Sequence, residues 1–433
     1  MGLLGSLFSG VSGLTSNGDA ISVVSNNIAN ANTIGFKAAA IEFRDVINPQ
    51  KVDARLQIGR GVKVRAVQPN FDQGGLQGTG KPLDLAVQGT GMFIVRTPQG
   101  TAYTRAGGFS FDASGNVVDA SGSVLQGFGL DAQGNPTSVL QDLNFAAASA
   151  PPRATTDGVA GPGVHVSVNL DAGEAIDPAA FSLVNPTGTS EFSTTLKIFD
   201  SLGSDHDVTI YFKKTGANTW DWYSAIDGGE LDNDRDGAAT AAGTPVVMDE
   251  GTITFAGDGS LVSQTLNPGN GNAPYDWDFA GGATSGQHIG WSFEDSTQYA
   301  SPSVVEFASQ DGRSSGGLLT MGVNAEGIIT GLFSNGTTEA LAQVALADFP
   351  SLHGLSRGAT GAFIASLESG DPIIGSPNVG KFGAVVSESL ELSNVDIAEQ
   401  FVQLIQFQRG FQSSSRIITA TDQLLGEVVN LVR

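Results

Sequence analysis

Both ends of the chain space their apolar residues in alternating steps of three and four, the pattern of a helix with an adhesive stripe. Near the start, Leu7, Val11, Leu14, Ile21 and Ile28 hold this register, with Gly18 and Ser25 in the remaining places. Near the end, Leu390, Ile397, Phe401, Leu404, Phe411, Ile418, Leu425, Val429 and Val432 hold it, interrupted by Asn394, Gln408, Ser415 and Asp422. A second apolar row of Val402, Ile405, Ile417, Leu424 and Val428 runs beside the last stripe. A single partner helix covers one stripe, so pairing the two ends with each other leaves apolar surface in water. The spacing therefore favours terminal helices wedged among helices of other copies over a self-contained hairpin.

Between these ends the period drops to two. "GVKVRAVQ" alternates Val62, Val64 and Ala66 with Lys63 and Arg65, and "LDLAVQGTGMFIV", "SGSVLQGFGL" and "GIITGLFSNGTTEALAQVALADF" add short strands divided by Gly-containing turns. Asn335-Gly336 reads as a hairpin turn. Residues 148–315 open on the linker-like "ASAPPRATT" and hold all four Trp (Trp220, Trp222, Trp277, Trp291). Residues 151–315 carry 6 basic against 23 acidic side chains, a net of −17, so most of the chain's −23 resides there.

The fold expected is a multidomain α+β chain. Its terminal helices (1–32 and 390–433) pair as a coiled coil, followed by an extended connector (33–70 and 365–389). An inner discontinuous all-β domain (71–147 and 316–364) then carries an inserted outer acidic all-β domain (148–315).

Composition and motifs exclude more than they assign. The acidic balance argues against a nucleic-acid partner, and zero Cys removes disulfides and thiolate chemistry. No run reaches the 18 or so apolar residues of a membrane span, so no membrane insertion is expected. "GLQGTGKP" approaches a phosphate loop, but Pro82 stands where Ser or Thr must ligand magnesium, and a strand pattern follows instead of a helix. "DNDRDG" aligns Asp232, Asp234 and Asp236 as in a calcium loop, yet Gly243 occupies the place of the bidentate Glu. His165, His206, His288 and His353 are scattered, and no Gly-x-Ser-x-Gly elbow is present. No catalytic residue, cofactor or metal is expected. The rival from another class is a secreted enzyme acting on polysaccharide, with the Trp-rich insert as a sugar platform.

"SGLTSNGDAISVVSNNIANANTIGFKAA" resembles the N-terminal signature of the rod and hook family of bacterial flagellar axial proteins. Residues 393–431, "SNVDIAEQFVQLIQFQRGFQSSSRIITATDQLLGEVVNL", resemble its C-terminal partner signature. "GRGVKVRAVQPNFDQGGLQGTGKPLDLAVQGTGMFIV" with "YTRAGGFSFDASGNVVDASGSVLQG" is similar to the inner β-domain of that family. Length and the large insert favour the hook branch, with a distal-rod subunit as the nearer alternative.

The resemblance implies a self-assembling structural subunit of a tubular helical polymer, a flexible coupling carrying motor torque from rod to filament. Partners implied are further copies of the chain, distal rod proteins, the hook cap, hook–filament junction proteins and the flagellar export apparatus. The location implied is the extracellular hook, reached without a cleaved signal. That agrees with the absence of a basic residue before Lys37. The self-assembly interface expected comprises Leu7, Val11, Leu14, Ile21, Ile28, Phe36, Ile397, Phe401, Leu404, Phe411, Ile418, Leu425 and Val429, with the amides Asn26, Asn27, Asn30 and Asn32. Amides at a helix end satisfy backbone groups without the desolvation cost of charge, either between subunits or as a cap within one chain. Gly410 interrupts the last helix at a cost of about 1 kcal/mol relative to Ala, which suits a close helix–helix approach or a bend.

Overall fold

The computed structural model describes residues 2–46, 59–131, 134–159, 163–233, 240–266, 276–358 and 361–431. The chain divides into two compact units: Met1–Ala148 with Thr320–Leu332 and Thr338–Arg433, and Ser149–Leu319 with Phe333–Thr337.

In the first unit, helix α1 spans Gly2–Ala29 and helix α2 spans Ile397–Leu431. Helix α2 begins at Asp396, whose Oδ1 accepts from the backbone N–H groups of Ala398 (2.8 Å) and Glu399 (3.2 Å). This satisfies two of the donors that a helix start leaves free, and Glu399 adds a favourable charge in the first turn. The helices pack antiparallel, because Gly10 lies against Ile417 and Ile418, Gly13 against Ser414, and Asn27 against Gln400. A Cβ at Gly410 would come within 2.7 Å of the Asn17 amide oxygen, so this glycine marks a close crossing.

Strands β1 (Ala39–Asp45) and β2 (Val62–Pro69) form an antiparallel pair with Ile41 opposite Val67 and Phe43 opposite Val64. Helix α1 is tied to this ribbon by Ser12 Oγ, which accepts from Val62 N–H (3.2 Å), and Ser16 Oγ, which donates to Val62 O (3.3 Å).

The β core of this unit is assembled from distant parts of the chain. Met92–Thr97 forms a hairpin with Gly100–Thr104, and Leu346–Asp348 pairs on the other edge with Leu346 opposite Phe93. Met92, Ile94, Tyr103, Phe128, Phe349 and Phe363 are buried together, and Tyr103 meets Phe349 edge-on at 4.7 Å.

The second unit carries a five-stranded antiparallel sheet in the order Phe192–Phe199, Asp205–Gly216, Thr219–Asp227, Pro245–Phe255, Leu261–Leu266. A three-stranded sheet places Val164–Asn169 between Trp291–Ser292 and Val304–Gln310. All four Trp lie inside: Trp220 is 0 %, Trp222 1 %, Trp277 1 % and Trp291 6 % exposed. Trp220 Nε1 donates to Gln298 Oε1 (3.0 Å) and Trp291 Nε1 to Asp249 Oδ2 (2.9 Å), which lets these two indoles be buried with partners for their N–H groups.

A recurring turn joins many strands. Asp112, Asp119 and Asp200 each accept at Oδ1 from the backbone N–H groups two and four residues on, and the glycine three residues on has positive φ. At Asp112 the Asn116 side chain, and then the backbone N–H groups of the turn, hold the carboxyl below its ordinary value of 3.8. A depressed carboxylate pKa stabilises the fold above the unfolded-chain value, and that contribution fades as pH falls through the folded-state value. An Asp112→Ala variant is therefore expected to lose stability at neutral pH and to show a shallower decline toward acid than the parent. Thermal unfolding recorded from pH 7 to pH 3 checks this.

Candidate self-assembly surface and the joint behind it

The asparagine-rich end of α1 is a junction. Asn27 is 1 % exposed; its Nδ2 donates to Ala39 O (2.8 Å) and Gln400 Oε1 (2.9 Å), and its Oδ1 accepts from Ala39 N–H (2.9 Å). One neutral amide thus links α1, the start of β1 and α2. Asn30 Nδ2 donates to Asn26 O (2.9 Å), and Asn30 Oδ1 accepts from Thr33 Oγ1 (3.0 Å), closing the turn within the chain. Asn26 and Asn32 remain exposed.

Beyond this turn the backbone enters a charged interior. Gly35 has φ +66° and donates to Glu391 O (2.7 Å); a Cβ there would lie 2.4 Å from Ala106 N. Two residues later, Lys37 Nζ donates to Glu391 Oε1 (2.7 Å) and to Asp72 O (2.7 Å). Arg105 Nη1 donates to Glu391 Oε2 (3.0 Å) and Val87 O (3.1 Å), while Nη2 donates to Gly89 O (2.6 Å). Gly74 N–H also donates to Glu391 Oε1 (2.9 Å). The side chains of Lys37 and Glu391 are both 0 % exposed. Burial pulls the Lys37 ammonium below its ordinary value of 10.5, and the ion pair with Glu391 opposes that pull.

Around this cluster, Asn394 Nδ2 donates to Asn70 O (2.9 Å) and Asp72 O (3.0 Å), and its Oδ1 accepts from Ala38 N–H (2.8 Å). Arg357 lies 5.0 Å over the Phe36 ring and donates to Lys37 O. Spacing alone could not reveal this joint, because its charged members lie 37, 105 and 391 along the chain. The only signals were a Lys and a Glu set beside the two terminal signatures.

The helices pack small residues inward and leave large ones out. Among the described residues, those buried on α1 are Gly10, Ser16, Ala20, Val24 and Asn27, and on α2 Gln400 and Thr421. Of the residues named from spacing, Leu7, Leu14, Ile21, Ile28, Phe36, Leu404, Ile418 and Leu425 are half-buried. Val11 is 45 %, Ile397 46 %, Phe401 50 % and Phe411 37 % exposed, and the side chain of Val429 lies outside the described residues. The second row is more open still, with Val402 at 56 %, Ile405 at 49 %, Ile417 at 47 % and Leu424 at 53 %. Glycines along the crossing allow a close approach, and close approach selects small and polar side chains for the interior.

Among the described residues the enzyme-like motifs gather into no site. "GLQGTGKP" lies on the strand Leu76–Gly78 and the turn after it, and the next element is the strand Ala86–Gln88. Asp232 is on a short strand, Leu231–Asn233, whereas Asp234 and Asp236 lie outside the described residues. Among the described residues no group of three or more His, Asp or Glu is placed to hold a metal ion. With every indole buried, the four Trp of the insert offer no platform to a sugar.

Removing the Glu391 carboxylate strands two buried cations, a change of the kind that costs about 3–5 kcal/mol. Glu391→Ala is expected to lower the urea midpoint accordingly, whereas the exposed Glu399→Ala changes the unfolding free energy by about 1 kcal/mol or less and barely moves the midpoint. A loss at Glu391 no larger than at Glu399 would remove the joint from any structural role.

Comparison with known proteins matches four family models in chain order. These are the flagella basal body rod protein (residues 7–37), the flagellar hook protein FlgE/F/G D1 domain (86–164), the flagellar basal body protein FlaE D2 domain (169–313) and the flagellar basal body rod FlgEFG protein C-terminal (386–431). The flagellar hook protein FlgE of Treponema pallidum is 31 % identical over 472 residues, covering all of both chains. That of Escherichia coli K12 is 30 % identical over 432 residues, covering 97 % of this chain and 98 % of that one. The crystal structure of Helicobacter pylori flagellar hook protein FlgE2 overlaps with a TM-score of 0.44 at 17 % identity, covering 73 % of this chain and 100 % of that one, too loose a likeness to carry an argument. On its similarity to hook proteins over essentially the whole length, the chain belongs to the flagellar hook protein family.

Proposed function

We propose that the chain is the structural, non-catalytic subunit of a bacterial flagellar hook, polymerising with copies of itself into a tube that couples motor torque to the filament through a bendable joint. The observation that carries this reading is the apolar surface left on the helix pair. Phe401, Val402, Ile405, Ile417 and Leu424 stand about half exposed along α2, and Phe8 on α1 is 65 % exposed. Burying a side chain of this size contributes about 1.5–3 kcal/mol, so a row of them is a strong incentive to associate. Membership of a structural family leaves the polysaccharide-acting enzyme without support.

The finer division follows from the same reading. Residues 1–32 and 390–433 form a coiled-coil layer, and 33–70 with 365–389 a connector. Residues 71–147 with 316–364 form an inner β layer, and 148–315 an acidic outer layer. The stripe residues from Leu7 to Val429, Phe36 and the exposed amides Asn26 and Asn32 make the contacts between copies. At its ends such a tube meets distal rod proteins, the hook cap and junction proteins. Its subunits leave the cell through the flagellar export apparatus without losing a signal segment.

Assembly then protects what the free chain exposes. Hydrogen exchange of dilute chain and of polymer is expected to show slow amides in α2 only in the polymer. Phe401→Asp and Leu424→Asp are each expected to raise the critical concentration for polymerisation at least about tenfold, equivalent to about 1.4 kcal/mol. Equal protection of α2 in both states, with unchanged assembly of the variants, would remove the self-association reading.

A further inference from the structure

We propose that His206 is a proton-operated clasp within the second unit: carrying both ring protons it binds the carboxylates of Asp200 and Glu230 together, and losing one releases Asp200. The clasp works within one chain, whether or not copies assemble. His206 lies on the strand Asp205–Gly216 and is 6 % exposed. Its Nδ1 is 2.8 Å from Glu230 Oε2, on the short helical turn Gly228–Glu230. A carboxylate has no proton to give, so this contact places a hydrogen on Nδ1. Nε2 faces Asp200 Oδ2 at 3.6 Å, beyond hydrogen-bond reach, and among the described residues neither of these buried atoms has a hydrogen-bond partner. In the neutral ring Nε2 points a lone pair at a carboxylate oxygen, which leaves two buried acceptors unsatisfied. A second ring proton turns that opposition into a charge-assisted bond. The Phe279 ring, centred 4.4 Å away and tilted by 30°, presents its electron-rich face to the imidazole and favours the cation as well. Of the other charges near the ring, Asp205 and Asp207 flank it on its own strand, exposed and paired with Lys197 of the adjoining strand. Asp232, past Glu230, is exposed, and Asp278, beside Phe279, accepts from Gly286 N–H (2.8 Å).

The turn that the clasp holds braces both ends of the segment Ser149–Leu319, which makes up most of this unit. Asp200 Oδ1 accepts from Leu202 N–H (2.9 Å) and Ser204 N–H (2.8 Å), which shapes the turn and leaves Oδ2 for His206. A Cβ at Gly203, in the same turn, would lie 2.6 Å from Pro152 Cβ and 3.1 Å from Ser314 Cα. Thr155 N–H donates to Phe199 O (2.9 Å), and Phe199 N–H donates to Thr155 Oγ1 (3.0 Å). Arg153 and Arg313 join the two ends by reciprocal backbone bonds of 3.0 and 2.8 Å. Protonated His206 therefore anchors the brace, and deprotonation loosens it. An imidazolium held by two carboxylates is favoured in the folded chain. Its contribution is whole below the ordinary imidazole value of about 6.5 and fades as pH rises above it.

His206→Gln keeps an amide donor at this place but cannot titrate. Amide hydrogen exchange of the dilute full-length chain, corrected for its intrinsic pH dependence, is expected to show protection at Thr155, Phe199 and Leu202 falling at least about tenfold between about pH 6 and about pH 8.5, with a flat profile in His206→Gln. His165→Gln, which removes a histidine set against Ser292 Oγ (3.3 Å), is expected to keep the parent's profile. The same profile in the parent and in His206→Gln would overturn the clasp, as would a profile flattened equally by His165→Gln. Should His206→Gln fail to fold by circular dichroism, imidazole N–H resonances of the unsubstituted chain decide the matter. The histidine in contact with the Phe279 ring is expected to show two slowly exchanging ring N–H protons at about pH 6 and one at about pH 8.5, and any other pattern would overturn the clasp.

Discussion

One carboxylate holds the two ends of this chain to its β-sheet. Glu391 meets Lys37 from the N-terminal signature and Arg105 from the inner β core, with neither Glu391 nor Lys37 exposed to solvent. Charges so enclosed persist only when each has partners, because desolvation otherwise costs several kcal/mol per ion. Here the carbonyls of Asp72, Val87 and Gly89 and the N–H of Gly74 complete the set. The cluster demands directional contacts from segments hundreds of residues apart, so a small displacement of any one strands a charge. An apolar joint would tolerate sliding, whereas this one specifies a single arrangement where the chain leaves the helix pair.

That fixed joint gives the helix pair its character. Asn27, Gln400, Ser16 and the glycines occupy the crossing, and Phe401, Ile405 and Leu424 face outward. Helices joined through small and polar groups gain modest stability from each other, and helical order in such a case comes mainly from burial elsewhere. A chain of this design leaves a row of large apolar side chains about half exposed along the last helix. The second unit follows the opposite plan, with its four Trp sealed inside and a net of −17 across residues 151–315. Like-charged surfaces repel one another, and salt screens that repulsion.

Much of this plan was legible in the residues. Period-two strands, Gly-rich turns and the position of the acidic insert appear in order along the chain, and the signatures at both ends pointed to the axial family. The heptad spacing located both helices but not their inner faces. Counting apolar steps gives a register and not a fit, and it set Phe401 and Phe411, expected at contacts between copies, on one stripe with half-buried Leu404 and Ile418. The crossing instead admits what fits beside Gly10, Gly13 and Gly410. The Trp cluster misled in another way, since aromatic density reads equally as a binding platform or as a core, and only the pairing of Trp220 and Trp291 with Gln298 and Asp249 distinguishes them.

Local patterning by itself determined the helices, the strands, the acidic character of residues 151–315 and the excess of apolar surface at the two ends, because each depends on neighbours within a few residues. Tertiary structure alone decided that Glu391 would serve both Lys37 and Arg105, that Asn27 would bridge three elements, and which helix faces stay open. Those outcomes depend on which distant groups share one dehydrated space, and the cost of leaving a buried charge or amide unpaired is set by that space, not by the spacing of residues along the chain.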